Sequence, residues 1–177
     1  MSASEQPLPF VVASRGSNKV ASTTTRPFPS SGRSVSDQVV TVLATSPQHE
    51  DHVLLSDIFS RSNWKLHHAQ TREQALEFLR THRVGVVITE CDLEDQRCWR
   101  EFLEDVAGLP LQPPPRFIVA SRLADDQLWS EALNLGAYNV LAKPFDAQEV
   151  FWVVSHAWLD WKHDLEGRRA QAMAAHS

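Results

Sequence analysis

The chain has 177 residues with 42% hydrophobic and 22% charged side chains, enough for one buried core of ordinary size and a tail. Its formal charge of −5 is uneven: residues 1–36 carry Arg15, Lys19, Arg26 and Arg33 against Glu5 alone, so the remainder is strongly acidic. An acidic body repels phosphate backbones, which argues against nucleic acid as a partner of the folded part, and no apolar run approaches the ~20 residues that span a bilayer.

Residues 1–37 are rich in Ser, Thr and Pro, and such a segment buries too little apolar area to offset its ordering entropy. The expectation is a disordered tail, followed by a folded domain over 38–164 and a polar helical extension over 165–177. Cys91 and Cys98 are the only cysteines, and their C-x6-C spacing fits no zinc pattern, so reduced thiols in a cytoplasmic protein are expected.

Val39 to Ala44 is an apolar, β-branched run suited to a strand buried on both faces. Ser46-Pro47 reads as a helix cap with proline at the first helical position, and Leu54, Leu55, Ile58 and Phe59 recur at helical spacing behind it. His49 and His52, with Glu50 and Asp51 between them, read as a solvated polar face of that helix. A metal site there lacks an obvious third ligand. Lys65 to His68 is a shorter strand suited to a sheet edge.

Thr71-Arg72-Glu73-Gln74 fits a capping box, with Ala75, Leu76 and Leu79 as the buried stripe behind it. Val84 to Thr89 is a third strand. Trp99, Phe102, Leu103 and Val106 share one helix face, and Pro110 and Pro113 to Pro115 end that helix. Phe117 to Ala120 is a fourth strand, and a helix from about Asp125 to Leu135 stops at Gly136. Asn139 to Leu141 is a fifth strand. Asp146-Ala147-Gln148-Glu149 is a capping box for the last helix, whose stripe is Val150, Val153, Val154, Ala157, Trp158 and Trp161.

Five strand–helix alternations predict an α/β architecture: a (βα)5 doubly wound five-stranded parallel sheet, the flavodoxin- and CheY-like three-layer sandwich. Functional groups in such sheets gather beyond the carboxyl ends of the strands, here Ala44 to Ser46, Thr89 to Asp95, Ala120 to Arg122 and Ala142 to Pro144. No glycine-rich phosphate loop follows the first strand, which places a nucleotide- or flavin-binding module last among the readings.

Two runs carry a family resemblance. Val86 to Leu93 (VVITECDL) resembles the third strand and phosphoacceptor loop of response-regulator receiver domains. Gly136 to Phe145 (GAYNVLAKPF) resembles that family's glycine–alanine turn, fifth strand and Lys-Pro-Phe ending. The resemblance extends over roughly Val39 to Asp164. It implies a phosphoacceptor position at Glu90, a pocket of Ala44, Thr45, Ala120, Lys143 and Pro144, and a switch position at Val140 with Tyr138 nearby.

Four of the five positions that would carry the chemistry are altered. Ala44 and Thr45 stand where the family holds magnesium with two carboxylates, and a methyl group supplies no oxygen ligand. Glu90 replaces aspartate, and Ala120 replaces the Ser or Thr that reads the phosphoryl group. Ser121 points to the opposite face. The resemblance with these departures implies a pseudo-receiver that is no enzyme, needs no cofactor and acts in a two-component (phosphorelay) pathway through a protein partner such as a histidine kinase.

Glu90 and Lys143 are expected at the ends of adjacent strands, as an ion pair that imitates phosphorylation or as an ordinary salt bridge. The alternative is a phosphorylatable regulator using Asp92, or Asp95, with Mg2+. Trp129, Trp152, Trp158 and Trp161 are interface candidates, and the last helix is a candidate homodimer face.

Overall fold

The computed structural model describes residues 39–93 and 99–176. The expected tail, Asp95 and Cys98 lie outside the described residues.

Five parallel strands form one sheet: β1 (Thr41–Thr45), β2 (Lys65–Ala69), β3 (Val86–Glu90), β4 (Arg116–Ser121) and β5 (Asn139–Ala142), in the order β2-β1-β3-β4-β5. Between and after them run α1 (His49–Phe59), α2 (Arg72–Thr81), α3 (Trp99–Gly108), α4 (Asp126–Leu135) and α5 (Ala147–Ala175). The architecture is the doubly wound (βα)5 sheet expected from the alternation of elements.

Side-chain alternation sorts the core into two layers. Val42, Ala44, Val86, Ile88, Ile118, Ala120 and Leu141 face α1 and α5, packing on Leu55, Ile58, Phe59, Val150, Val153 and Val154. Leu43, Val87, Phe117, Val119 and Val140 face the other way, onto Leu76, Leu79, Trp99, Phe102, Val106, Leu128 and Ala132 of α2, α3 and α4. The central strands read as continuous apolar runs because both of their faces are covered.

Local chemistry fixes the helix ends. Thr71 Oγ1 accepts from the Gln74 amide at 3.3 Å, and Gln74 Oε1 reaches back to the Gln70 amide at 2.9 Å. Asp125 and Asp146 cap α4 and α5 by accepting from Leu128 and Glu149 amides at 2.8 and 2.9 Å. Gly136 ends α4 at φ +99°, a conformation costly for any residue with a Cβ.

Two expectations are corrected. Helix α1 starts at His49 with Gln48 at its N-cap, and Ser46 lies two residues before that cap with its hydroxyl donating to Asp51. Its buried face is Asp51, His52, Leu55, Ile58 and Phe59, whereas Leu54 is 46% exposed. The last helix and its polar extension are one continuous helix of 29 residues.

Candidate functional site

The carboxyl ends of the strands converge on one ammonium group. Lys143 follows β5 directly and is joined to Pro144 by a cis peptide. Its Nζ lies 2.5 Å from Asp51 Oδ2 and also contacts Glu90 Oε2. The three side chains are only 5%, 8% and 7% exposed, so this is a buried ion cluster and not a surface salt bridge.

Each member is placed by its own element. Glu90 ends β3 on the α1/α5 side of the sheet, two residues after Ile88, and its Oε1 accepts from the Cys91 amide at 3.0 Å. Asp51 projects inward from the first turn of α1. Ser46, just past β1, donates its hydroxyl to Asp51 Oδ2 at 2.6 Å and accepts from the Gln48 amide at 3.1 Å. The Lys143 ammonium also lies 5.7 Å from the centre of the Phe145 ring. A cavity of about 260 Å³ opens onto the cluster, lined by Glu50, Asp51, Leu54, Arg122, Lys143 and Phe145.

Glu90 and Lys143 are not on adjacent strands. Strand β4 lies between β3 and β5, and Ala120 stands directly opposite Glu90 in the register. The lysine therefore reaches across β4 at the position where that strand carries only a methyl group. Ala120 thus removes a hydroxyl from the pocket and leaves space for the bridge.

Other expected site residues fall as follows. Ala44 is buried on the cluster's side of the sheet and offers no donor or acceptor from its side chain. Thr45, next along the strand, points to the opposite face, and its buried hydroxyl has no hydrogen-bond partner among the described residues. Ser121 Oγ accepts from the Leu123 amide at 3.1 Å and plays no part in the cluster. Asp92 is exposed on the loop after β3. Pro144 is exposed beside Lys143.

Val140 is buried between β5 and the α4 side of the core. Tyr138 is half-buried, and burial, then the nearby Asp160, push its hydroxyl pKa up, with Arg116 pulling the other way.

The four tryptophans separate. Trp152 is 61% exposed and Trp129 38%. Trp161 is buried, its indole N–H donating to the Pro113 carbonyl at 3.3 Å, and so leaves the set of surface candidates. Trp158 is half-buried against the α1/α5 core and over Gly85, with Lys162 on its ring. Trp161 reaches the proline-rich loop and both indoles lie over Gly85 before β3, which is why the helical stripe continues through them.

Asp51 is the member of the cluster that the sequence motifs leave unmarked. It had a readable signal: Asp51, Leu55 and Ile58 stand at i, i+4 and i+7, so a carboxylate shares the register of a buried stripe and must find a partner inside. His52 belongs to the same face. It is buried, not solvated, with Nε2 2.8 Å from the Ser46 carbonyl.

The donor set does not fit a magnesium ion. The two carboxylates that reach the pocket, Asp51 and Glu90, are both turned onto an ammonium, and Ala44 and Ala120 contribute no oxygen where a metal or phosphoryl group would need one.

The family profile described as the response regulator receiver domain matches residues 49–155, more than half of the chain. No curated protein matches. Among solved structures, the chain is similar to the signal receiver domain of an HD domain-containing protein from Pseudomonas fluorescens Pf-5. The two share 27% identity with a TM-score of 0.62, over 71% of this chain and 98% of that one. The receiver domain of a putative Luxo repressor protein from Vibrio parahaemolyticus shares 18% identity with a TM-score of 0.65, over 71% of this chain and 95% of that one. The chemotaxis response regulator CheY4 of Vibrio cholerae shares 17% identity with a TM-score of 0.61, over 67% and 98%. With its sheet order, its Lys-Pro ending and this match, the chain belongs to the response-regulator receiver domain family.

Proposed function

We infer that this receiver domain is not phosphorylated and signals through protein contacts, with its acceptor position permanently neutralised from within. The observation that carries the reading is the buried bridge of Lys143 to Asp51 and Glu90. In-line phosphoryl transfer needs electrostatic stabilisation around the transferred group. Here the lysine is already committed to two carboxylates, and the hydroxyl and metal-binding positions are occupied by Ala120 and Ala44.

The same bridge supports a locked conformation. A receiver that responds to phosphorylation must rearrange around new charge at the acceptor, whereas this pocket holds an opposite charge against Glu90 in its resting state. The domain would then present one constitutive surface to a signalling partner such as a kinase. Trp129 on α4 and Trp152 on α5 are the large aromatics left exposed for such contacts or for pairing with a second copy.

The test is intact-mass analysis after incubation with acetyl phosphate and Mg2+, for the wild type and for Glu90→Asp. Neither protein should gain a phosphate. An adduct on the wild type would overturn the reading and direct peptide mapping to Asp92. An adduct on the variant alone would show that side-chain length at position 90 is the block, and that the lysine bridge is not.

A further inference from the structure

The cation cluster does not end at Asp51. Ser46, which holds Asp51 through its hydroxyl, accepts through its backbone carbonyl from His52 Nε2 at 2.8 Å. His52 Nδ1 lies 2.8 Å from His68 Nδ1, the rings meeting edge-on at 79° with centroids 4.7 Å apart. His68 sits on the edge strand β2, facing α1, and its Nε2 is 3.1 Å from Ser56 Oγ. A continuous line of polar contacts thus runs from the outer strand to Glu90.

Hydrogen-bond polarity assigns the protons in this line. A carbonyl only accepts, so His52 Nε2 carries a hydrogen, and the neutral ring then presents Nδ1 as an acceptor. His68 must donate from Nδ1, and its Nε2 accepts from the Ser56 hydroxyl. One arrangement of two neutral rings with opposite tautomers satisfies all three contacts.

We propose that His52 and His68 form a pH-sensitive latch that ties the edge strand to the cation cluster. A first proton can reach His68 Nε2 only if the Ser56 hydroxyl turns to accept. A proton on His52 Nδ1 sets two N–H groups against each other across the contact, and the latch opens. The ionisable groups bearing on His68 are His52 and His49 from α1 and His67 on its own strand, all cationic when protonated. Strand β1 has no ionisable side chain, and Asp51 is turned onto Ser46 and Lys143. Glu50 lines the cluster's cavity and Asp57 the groove between α1 and α5.

The geometry has support from electrostatics. Burial first, then His52, His67 and His49, hold the His68 pKa below its ordinary 6.5. A depressed value means that the neutral form contributes its full stabilisation above about 6.5, and that this is lost as pH falls through the folded value. Opening the latch parts the two rings while the His52 Nε2–H stays on the Ser46 carbonyl, so the added charge is felt beside the residue whose hydroxyl orients Asp51 on Lys143. The proposal does not depend on whether Glu90 is phosphorylated.

The test is a pH titration by NMR of 15N-labelled full-length protein between about pH 8 and about pH 5. In the wild type the ring nitrogens should report opposite tautomers at neutral pH. The amides of Ser46, Asp51 and Lys143 should shift together with the His68 ring, whose midpoint lies below 6.5. His68→Gln keeps an N–H for His52 but removes one of the two titrating rings, so the pocket amides should move with a changed midpoint, while His49→Gln should retain the wild-type step. Pocket amides that stay still in the wild type, or that move with the same midpoint in His68→Gln, would overturn the proposal. Should that variant not fold, the wild-type rings decide alone: like tautomers, or two independent midpoints, would refute the latch.

Discussion

Replacing Lys143 by Met keeps an unbranched side chain, one atom shorter, and removes its charge, leaving Asp51 and Glu90 facing each other with no cation between them. Were the ion cluster solvent-screened, the loss would be about 0–1 kcal/mol. The side chains are no more than 8% exposed, however, so the relevant case is a buried charge stripped of its partner, which costs about 3–5 kcal/mol. At ~2–4 °C per kcal/mol for a domain of this size, the melting temperature should fall by roughly 10 °C. Urea unfolding at neutral pH measures the difference directly, provided that the slope with denaturant is unchanged. Adding millimolar Mg2+ or Mn2+ should recover part of the loss in Lys143→Met, because two converging carboxylates could then accept a divalent ion, and should do nothing for the wild type. A loss under about 1 kcal/mol, with no response to either ion, would mean that the cluster is not the buried, tethered-cation site described above.

The tryptophans and the glycine beneath them offer two further checks. Trp161→Ala should cost about 3–5 kcal/mol in chemical unfolding, since it empties a buried site and leaves the Pro113 carbonyl without its donor. Trp152→Ala should stay within about 0.5 kcal/mol; similar losses for the two would contradict their different burial. Gly85→Ala would place a Cβ 3.0 Å from Trp158 Cδ1 and 3.1 Å from Trp161 Cε3. Two indoles must then give way, at about 1–3 kcal/mol, and an unchanged unfolding midpoint would show that the packing there is looser than these distances.

Much of the architecture was legible in the chain because periodicity and punctuation are local. The apolar runs at Val42–Ala44, Val86–Ile88 and Phe117–Ala120 mark strands covered on both faces, and the caps at Thr71, Asp146 and Gly136 mark helix ends by chemistry that acts within three or four residues. The boundary of α1 was misread for the same reason. Ser46 looks like a cap by local rules, and its oxygen does accept from the Gln48 amide, but its hydroxyl donates to Asp51 and the helix begins only at His49.

The site divided along the same line. Sequence by itself determined what the pocket lacks, because absent oxygens at Ala44 and Ala120 are absent in any fold, and it determined that Lys143 stands at the end of the fifth strand. Only the tertiary structure decided what replaced them. The strand order put β4 between Glu90 and Lys143, so that their contact depends on the small side chain of Ala120. The packing of α1 on the sheet turned Asp51 and His52 inward, where an uncompensated charge or an unsatisfied ring nitrogen would be costly. Partner choice for a buried polar group is a three-dimensional property: Asp51 and Lys143 are 92 residues apart in the chain, and nothing in local pattern joins them.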